Sequence, residues 1–238
     1  MLAPELSHRT TSAQAEERGA ALALLPIAAT LDFYALPDWL QAQPLIQFAP
    51  QIISYLAFAL WAAHNVNICA RFGLERRKLG QGLRLGLLTG LMLGILNTAI
   101  ILRVFPAMGY DIAFLKQTLH AQLPVLVMVP WFIATIAVFV EFNFRGFLLG
   151  RIATLETNFW LIPSIRQFSP VALFVSALVF AFDPFMVTTF QHLHWIAVWD
   201  GLVWGLIWLK TRNLYATIVA HAIEVIVMYS AVRSVLMS

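Results

Sequence analysis

Apolar residues run in seven long blocks along the chain, at roughly 19–37, 50–71, 82–105, 123–150, 169–188, 195–210 and 213–235. A helix rises about 1.5 Å per residue and the hydrocarbon layer is about 30 Å thick, so about 20 apolar residues cross it. The pattern predicts an all-α fold, a polytopic membrane helix bundle of about seven transmembrane helices. It divides the chain into a polar N-terminal tail over 1–18, three helices over 19–122 and a core of four helices over 123–238. The sixth block is short, as a segment that is tilted, partly re-entrant or capped by the preceding His192-Leu193-His194 would be. Gly86, Gly90 and Gly94 recur every four residues on the third helix and make a small-residue face for close packing.

Composition agrees with a lipid solvent. Hydrophobic residues make up 61% of the 238 positions and charged residues 11%, with mean hydropathy +0.79. A soluble domain carries about 25% charged residues. The net charge of +3 does not point to nucleic acid, because the positive residues sit in short loops. Arg71, Arg76, Arg77, Lys78, Arg84, Arg151, Arg166, Lys210 and Arg212 fall on one side under alternation. The other side holds Asp38, Arg103, Asp111, Lys116, His192 and His194. The positive-inside bias then puts the N-terminus in the cytoplasm and the C-terminus outside. Residues 1–18 have mixed charge and precede no clear cleavage site, so the first helix is expected to be retained. A bacterial-type inner membrane fits these features. Residues 153–166, with Trp160, read as an interfacial connector. Cys69 stands alone, so no intrachain disulfide forms.

Ionisable residues inside the blocks are costly in lipid and therefore informative. Counted from the cytoplasmic helix ends at 1.5 Å per residue, Glu141 lies about 13 Å deep, Asp200 about 15 Å and His221 about 13 Å. Glu224 follows one turn beyond His221. Glu141 and Arg145 are spaced i,i+4 and share a helix face, as an internal ion pair would. Asp183 precedes Pro184 and is placed to cap or kink a helix. Taken alone, Asp200, Glu224 and His221 read first as polar contacts between helices, and His192 and His194 as loop residues.

The string Glu141-Phe142-Asn143-Phe144-Arg145-Gly146 resembles the first motif of the CPBP family, usually Glu-Glu-x-x-x-Arg. That family holds the CAAX-type prenyl-protein endopeptidases and bacteriocin-processing intramembrane proteases. Ser176 to Phe180 resembles the start of its second motif, normally Phe-x-x-x-His. Asp200 to Gly205 with Thr211 to Tyr215 resembles its Gly-rich helix and turn. Ala220-His221-Ala222 resembles its third motif, normally His-x-x-x-Asn or Asp. The likeness covers about 123–235; its order and spacing are more specific than any one motif. Three motif positions depart from the pattern: Val140, Pro184 and Val225.

The resemblance implies an intramembrane endopeptidase in which glutamate and histidine activate water against a peptide carbonyl. It carries over Glu141, Arg145 and His221 alone as catalytic residues. Beside them, His192, His194, Asp183 and Asp200 are candidates to compensate for the missing positions, and Glu224 is a further supporting candidate. Glu141 would need a backbone rotation or bulge to turn it inward. The expected partners are membrane lipid and a membrane-associated protein or peptide substrate, with no nucleic acid. No cofactor and no metal is expected, since one Glu and one His fall short of the three protein ligands of catalytic zinc. The alternative is a degenerate member that binds a membrane partner or peptide without cleaving it, which Val140, Pro184 and Val225 favour. A transporter or proton relay ranks lower, for the chain shows no inverted repeat.

Overall fold

The computed structural model describes residues 17–157 and 168–237, and these form a helical bundle with no strand among them. The main helices are α1 (Ala20–Ala35), α2 (Pro44–Ala63), α3 (Leu79–Ala99), α4 (Val125–Glu156), α5 (Pro170–Ala181), α6 (Pro184–Phe190), α7 (Ile196–Thr211) and α8 (Leu214–Leu236). Most of the tail and the stretch 158–167 of the expected connector, with Trp160 and Arg166, lie outside the described residues.

Among the described residues, length and composition support four helices that could cross, or five if a bent pair is one span, and do not confirm the expected seven. Pro44–Ala63, Ile68–Ala107, Val125–Glu156 and Leu214–Leu236 are each long and apolar enough to span. Pro170–Ala181 and Pro184–Thr211 qualify as a pair, bent by 52° at the break between them, which makes five at most. The fifth helix expected over 169–188 is therefore broken. The cause is local: Pro184 has no N–H to continue the ladder, and Asp183 caps the new helix. Its Oδ1 accepts from the backbone N–H of Phe185 at 3.0 Å and of Met186 at 3.4 Å. Gln51 of α2 donates to the same oxygen at 2.8 Å, which fastens the bend to the bundle. The outer surface is apolar, with Leu83, Leu87, Leu88, Met92 and Ile95 of α3 all exposed. Such a face is stable against acyl chains and unfavourable against water.

The glycine face is used as expected. A Cβ on Gly86 would stand 2.6 Å from the Ala216 carbonyl oxygen of α8, and one on Gly90 would stand 2.6 Å from that of Ala220. A Cβ on Gly94 would stand 2.8 Å from the Val227 Cβ and 3.1 Å from the Glu224 carbonyl oxygen, and one on Gly82 2.6 Å from the Tyr215 Cβ. This backbone-to-backbone approach carries α3 along α8 and delivers Asn97 to the level of Glu224. Gly201 of α7 packs comparably on Ala177 of α5.

Charged residues close one end of the bundle. Glu17 pairs with Arg151 and with Arg71, and accepts from the Trp61 indole. The Arg151 guanidinium stands 4.2 Å over the Trp61 ring. Lys78 donates to the Arg212 carbonyl at 2.9 Å. The basic loops read from the sequence thus converge on one end, tied together rather than splayed.

Gly90→Ala is expected to lower stability by about 1–3 kcal/mol through overpacking. Gly80→Ala, with nothing within 4 Å of its Cβ position, is expected to leave stability unchanged or slightly raised. Thermal unfolding of the two variants in the same detergent checks the contrast.

Candidate active site

Glu141 sits where the regular turns Ile136–Glu141 of α4 give way to wide π turns over Phe142–Leu149. Wide turns of this kind rotate the following side chains relative to a regular helix and are frequent at functional sites. The irregular stretch begins directly after Glu141 and carries Arg145. Two hydroxyls hold the irregular stretch: Ser54 of α2 donates to Asn143 at 3.0 Å, and Ser176 of α5 donates to the Phe144 carbonyl at 3.1 Å.

Glu141 is fully buried. Its Oε1 lies 3.0 Å from His221 Nδ1 of α8 and 3.2 Å from Arg145 Nη1. The Arg145 contact is ionic in character; none of the guanidinium nitrogens makes a hydrogen bond in range and direction. Aromatic faces hold that cation instead, with Phe180 at 4.7 Å and Trp204 at 5.0 Å. The His221 ring stacks on Trp204 with centroids 4.5 Å apart and planes 21° from parallel. Three helices therefore fix one imidazole and one carboxylate.

A cavity of about 590 Å³ opens beside this group. His221 and Trp204 form part of its wall, along with Val140, Asp183, Asp200, Glu224 and Val225. Glu141 lies behind His221 and does not line it. The volume falls in the ordinary range of small-molecule and peptide side-chain pockets.

Glu141, Arg145 and His221 are brought together. Asp200 and Glu224 form a second group beside them, bridged by Asn97 of α3, whose amide nitrogen is 3.1 Å from one Asp200 oxygen and 2.7 Å from Glu224 Oε1. His192 and His194 do not reach Glu141. His192 stacks on Tyr110 at 4.7 Å and packs against Phe105 and Phe114. His194 packs on Phe182 and Trp195, with its Nδ1 on the Gln191 carbonyl. Asp183 lines the cavity but is engaged as the α6 cap. Val140 and Val225 face the cavity, whereas Pro184 borders a separate surface recess of about 320 Å³ beside Tyr34. Among the described residues no three His, Cys, Asp or Glu side chains group as metal ligands would.

Asn97 escaped the sequence reading, and so did the anchoring roles of Ser54 and Ser176. A lone Asn in an apolar helix was the available signal for Asn97, since it needs a partner in lipid.

Residues 122–227 match the family model described as Type II CAAX prenyl endopeptidase Rce1-like. This stretch is similar to that family. Comparison with curated proteins and with solved structures gave no match. The Rce1-like stretch contains Glu141, Arg145, Asp200, His221 and Glu224, while Asn97 lies ahead of it.

Removing one partner of a buried ion pair costs about 3–5 kcal/mol because the other charge is left uncompensated. Arg145→Met is expected to lose stability in that range, and the double variant Arg145→Met/Glu141→Gln to recover most of it. Chemical unfolding of both in detergent measures the difference.

Proposed function

We propose that the protein is an intramembrane endopeptidase in which His221, oriented by Glu141, is the general base. The observation that carries this reading is the 3.0 Å contact between His221 Nδ1 and Glu141, made at a cavity wall within the Rce1-like stretch. An Nδ1–H donated to the carboxylate leaves the Nε2 lone pair free, and a histidine held in that tautomer accepts a proton from water. The carboxylate also stabilises the imidazolium that forms. Arg145 offsets the Glu141 charge at rest and stays cationic throughout. The hydroxide oxygen then bonds to the carbonyl carbon of a peptide lying in the cavity. The family's substrates supply the substrate class, a peptide on a prenylated or otherwise membrane-held protein. The basic end of the bundle is taken as cytoplasmic by the positive-inside bias, in a bacterial-type inner membrane.

A second reading has its own support. Val140 and Val225 present methyl groups to the cavity where the family pattern carries polar groups, and Pro184 faces away from it. These features favour binding of a membrane peptide without cleavage.

Purified protein in liposomes, given a quenched fluorescent prenyl-peptide, separates the two. Glu141→Gln and His221→Ala are each expected to lower turnover by about 10²–10⁴-fold, with peptide binding and helical content retained. Full turnover in both variants rejects His221 as the base. Saturable binding with no turnover in the unaltered protein selects the second reading.

A further inference from the structure

Asn97 has four contacts that fix how it is used. The Trp199 indole can only donate, and its Nε1 is 3.0 Å from Asn97 Oδ1. The amide therefore turns its two N–H groups away from Trp199, onto the carboxyl groups. Their shared nitrogen, Nδ2, lies 3.1 and 3.2 Å from the two Asp200 oxygens and 2.7 Å from Glu224 Oε1. A single amide nitrogen thus joins two carboxyl groups from different helices, 3% and 1% exposed. Glu224 Oε2 remains buried with no donor.

Charge counting sharpens the point. Among the described residues, three carboxyl groups stand around this place, Glu141, Asp200 and Glu224, and one permanent cation, Arg145. Arg145 makes its close ion pair with Glu141. Two ionised carboxylates side by side, served by one neutral amide, would leave unscreened like charges in a medium of low dielectric. A proton held between them removes one charge and fills the vacant position on Glu224 Oε2.

We propose that Asp200 and Glu224 share one proton and act as the acid of the site, with Asn97 as the positioning residue that holds them. The proposal rests on the reading of His221 as base. Both carboxyl groups line the same cavity as His221. In the first step water loses a proton to His221 Nε2, its oxygen bonds to the carbonyl carbon, and the carbonyl π electrons move to oxygen. In the second, those electrons re-form the carbonyl and the C–N bond breaks. The bonding pair stays on nitrogen, which takes the proton from the Asp200–Glu224 pair. The proton on His221 then returns to the pair, so that one water and one peptide bond become a carboxyl and an amine. Arg145, near both acids, favours the transient doubly ionised state. The charged or titratable groups around the pair are Glu141 and Arg145 from α4 and His221 from α8; α3 contributes the neutral Asn97.

The test has an arm that needs no turnover. Infrared spectra of the purified protein in lipid at mildly alkaline pH are expected to show a protonated carboxyl stretch. That signal should lose intensity in Asp200→Asn and in Glu224→Gln, which keep shape and hydrogen bonding, and persist in His221→Ala. An unchanged carboxyl signal in both acid variants overturns the shared proton, whether or not any peptide is cut. In the cleavage assay the acid variants are expected to lose about 10²-fold in kcat with KM unchanged. The alkaline limb of the pH profile, where the acid gives up its proton, should vanish with them. A purely structural role would leave that limb in place and overturns the acid assignment. If the unaltered protein shows the infrared signal but no turnover, the base and acid assignments both fall while the shared proton stands.

Discussion

A buried carboxylate needs compensation, and Glu141 is where this bundle meets that demand. Its position at full burial draws an arginine from the same helix and a histidine from another onto one oxygen. Everything nearby follows from keeping those three groups dry and matched. Phe180 and Trp204 face the guanidinium, whose nitrogens make no hydrogen bond among the described residues. Trp204 also stacks on the imidazole, so one aromatic plane restrains both Glu141 partners. The π turns of α4, anchored by hydroxyls from α2 and α5, begin directly after the carboxylate and carry its arginine partner.

The surrounding bundle separates two electrostatic regions. At the basic end, Glu17 gathers Arg71 and Arg151, so the positive charge there is partly neutralised and held. At mid-depth the acids outnumber the arginine, and the balance must come from protons or from hydrogen bonds. Between the regions lies the aromatic packing of Phe58, Trp61, Phe72 and Phe147.

Much of this was legible in the chain. Depth counting placed Glu141 and His221 at one level, and they touch. The four-residue glycine spacing announced a close helix pair, and α3 meets α8 along it. The number of crossings was not legible, because hydropathy does not register a bend: a cap and a proline at 183–184 divide an apolar run without lowering its apolarity. The failure of His192 and His194 to reach Glu141 has a similar cause. They follow the bend, and its direction steers them into aromatic pockets. Asn97 belonged to no motif, and its partners are 103 and 127 residues away.

The glycine stripe carries an ambiguity of its own. A groove with a four-residue rhythm accepts a ridged helix at more than one axial offset, since a slide of one turn puts small residues against backbone again. Van der Waals fit between α3 and α8 therefore discriminates poorly between neighbouring registers. The amide of Asn97 does discriminate, because one offset alone lets it reach Asp200 and Glu224 together. A single polar side chain thus serves as the index mark of a sliding scale, and the acids it touches are the marks it reads.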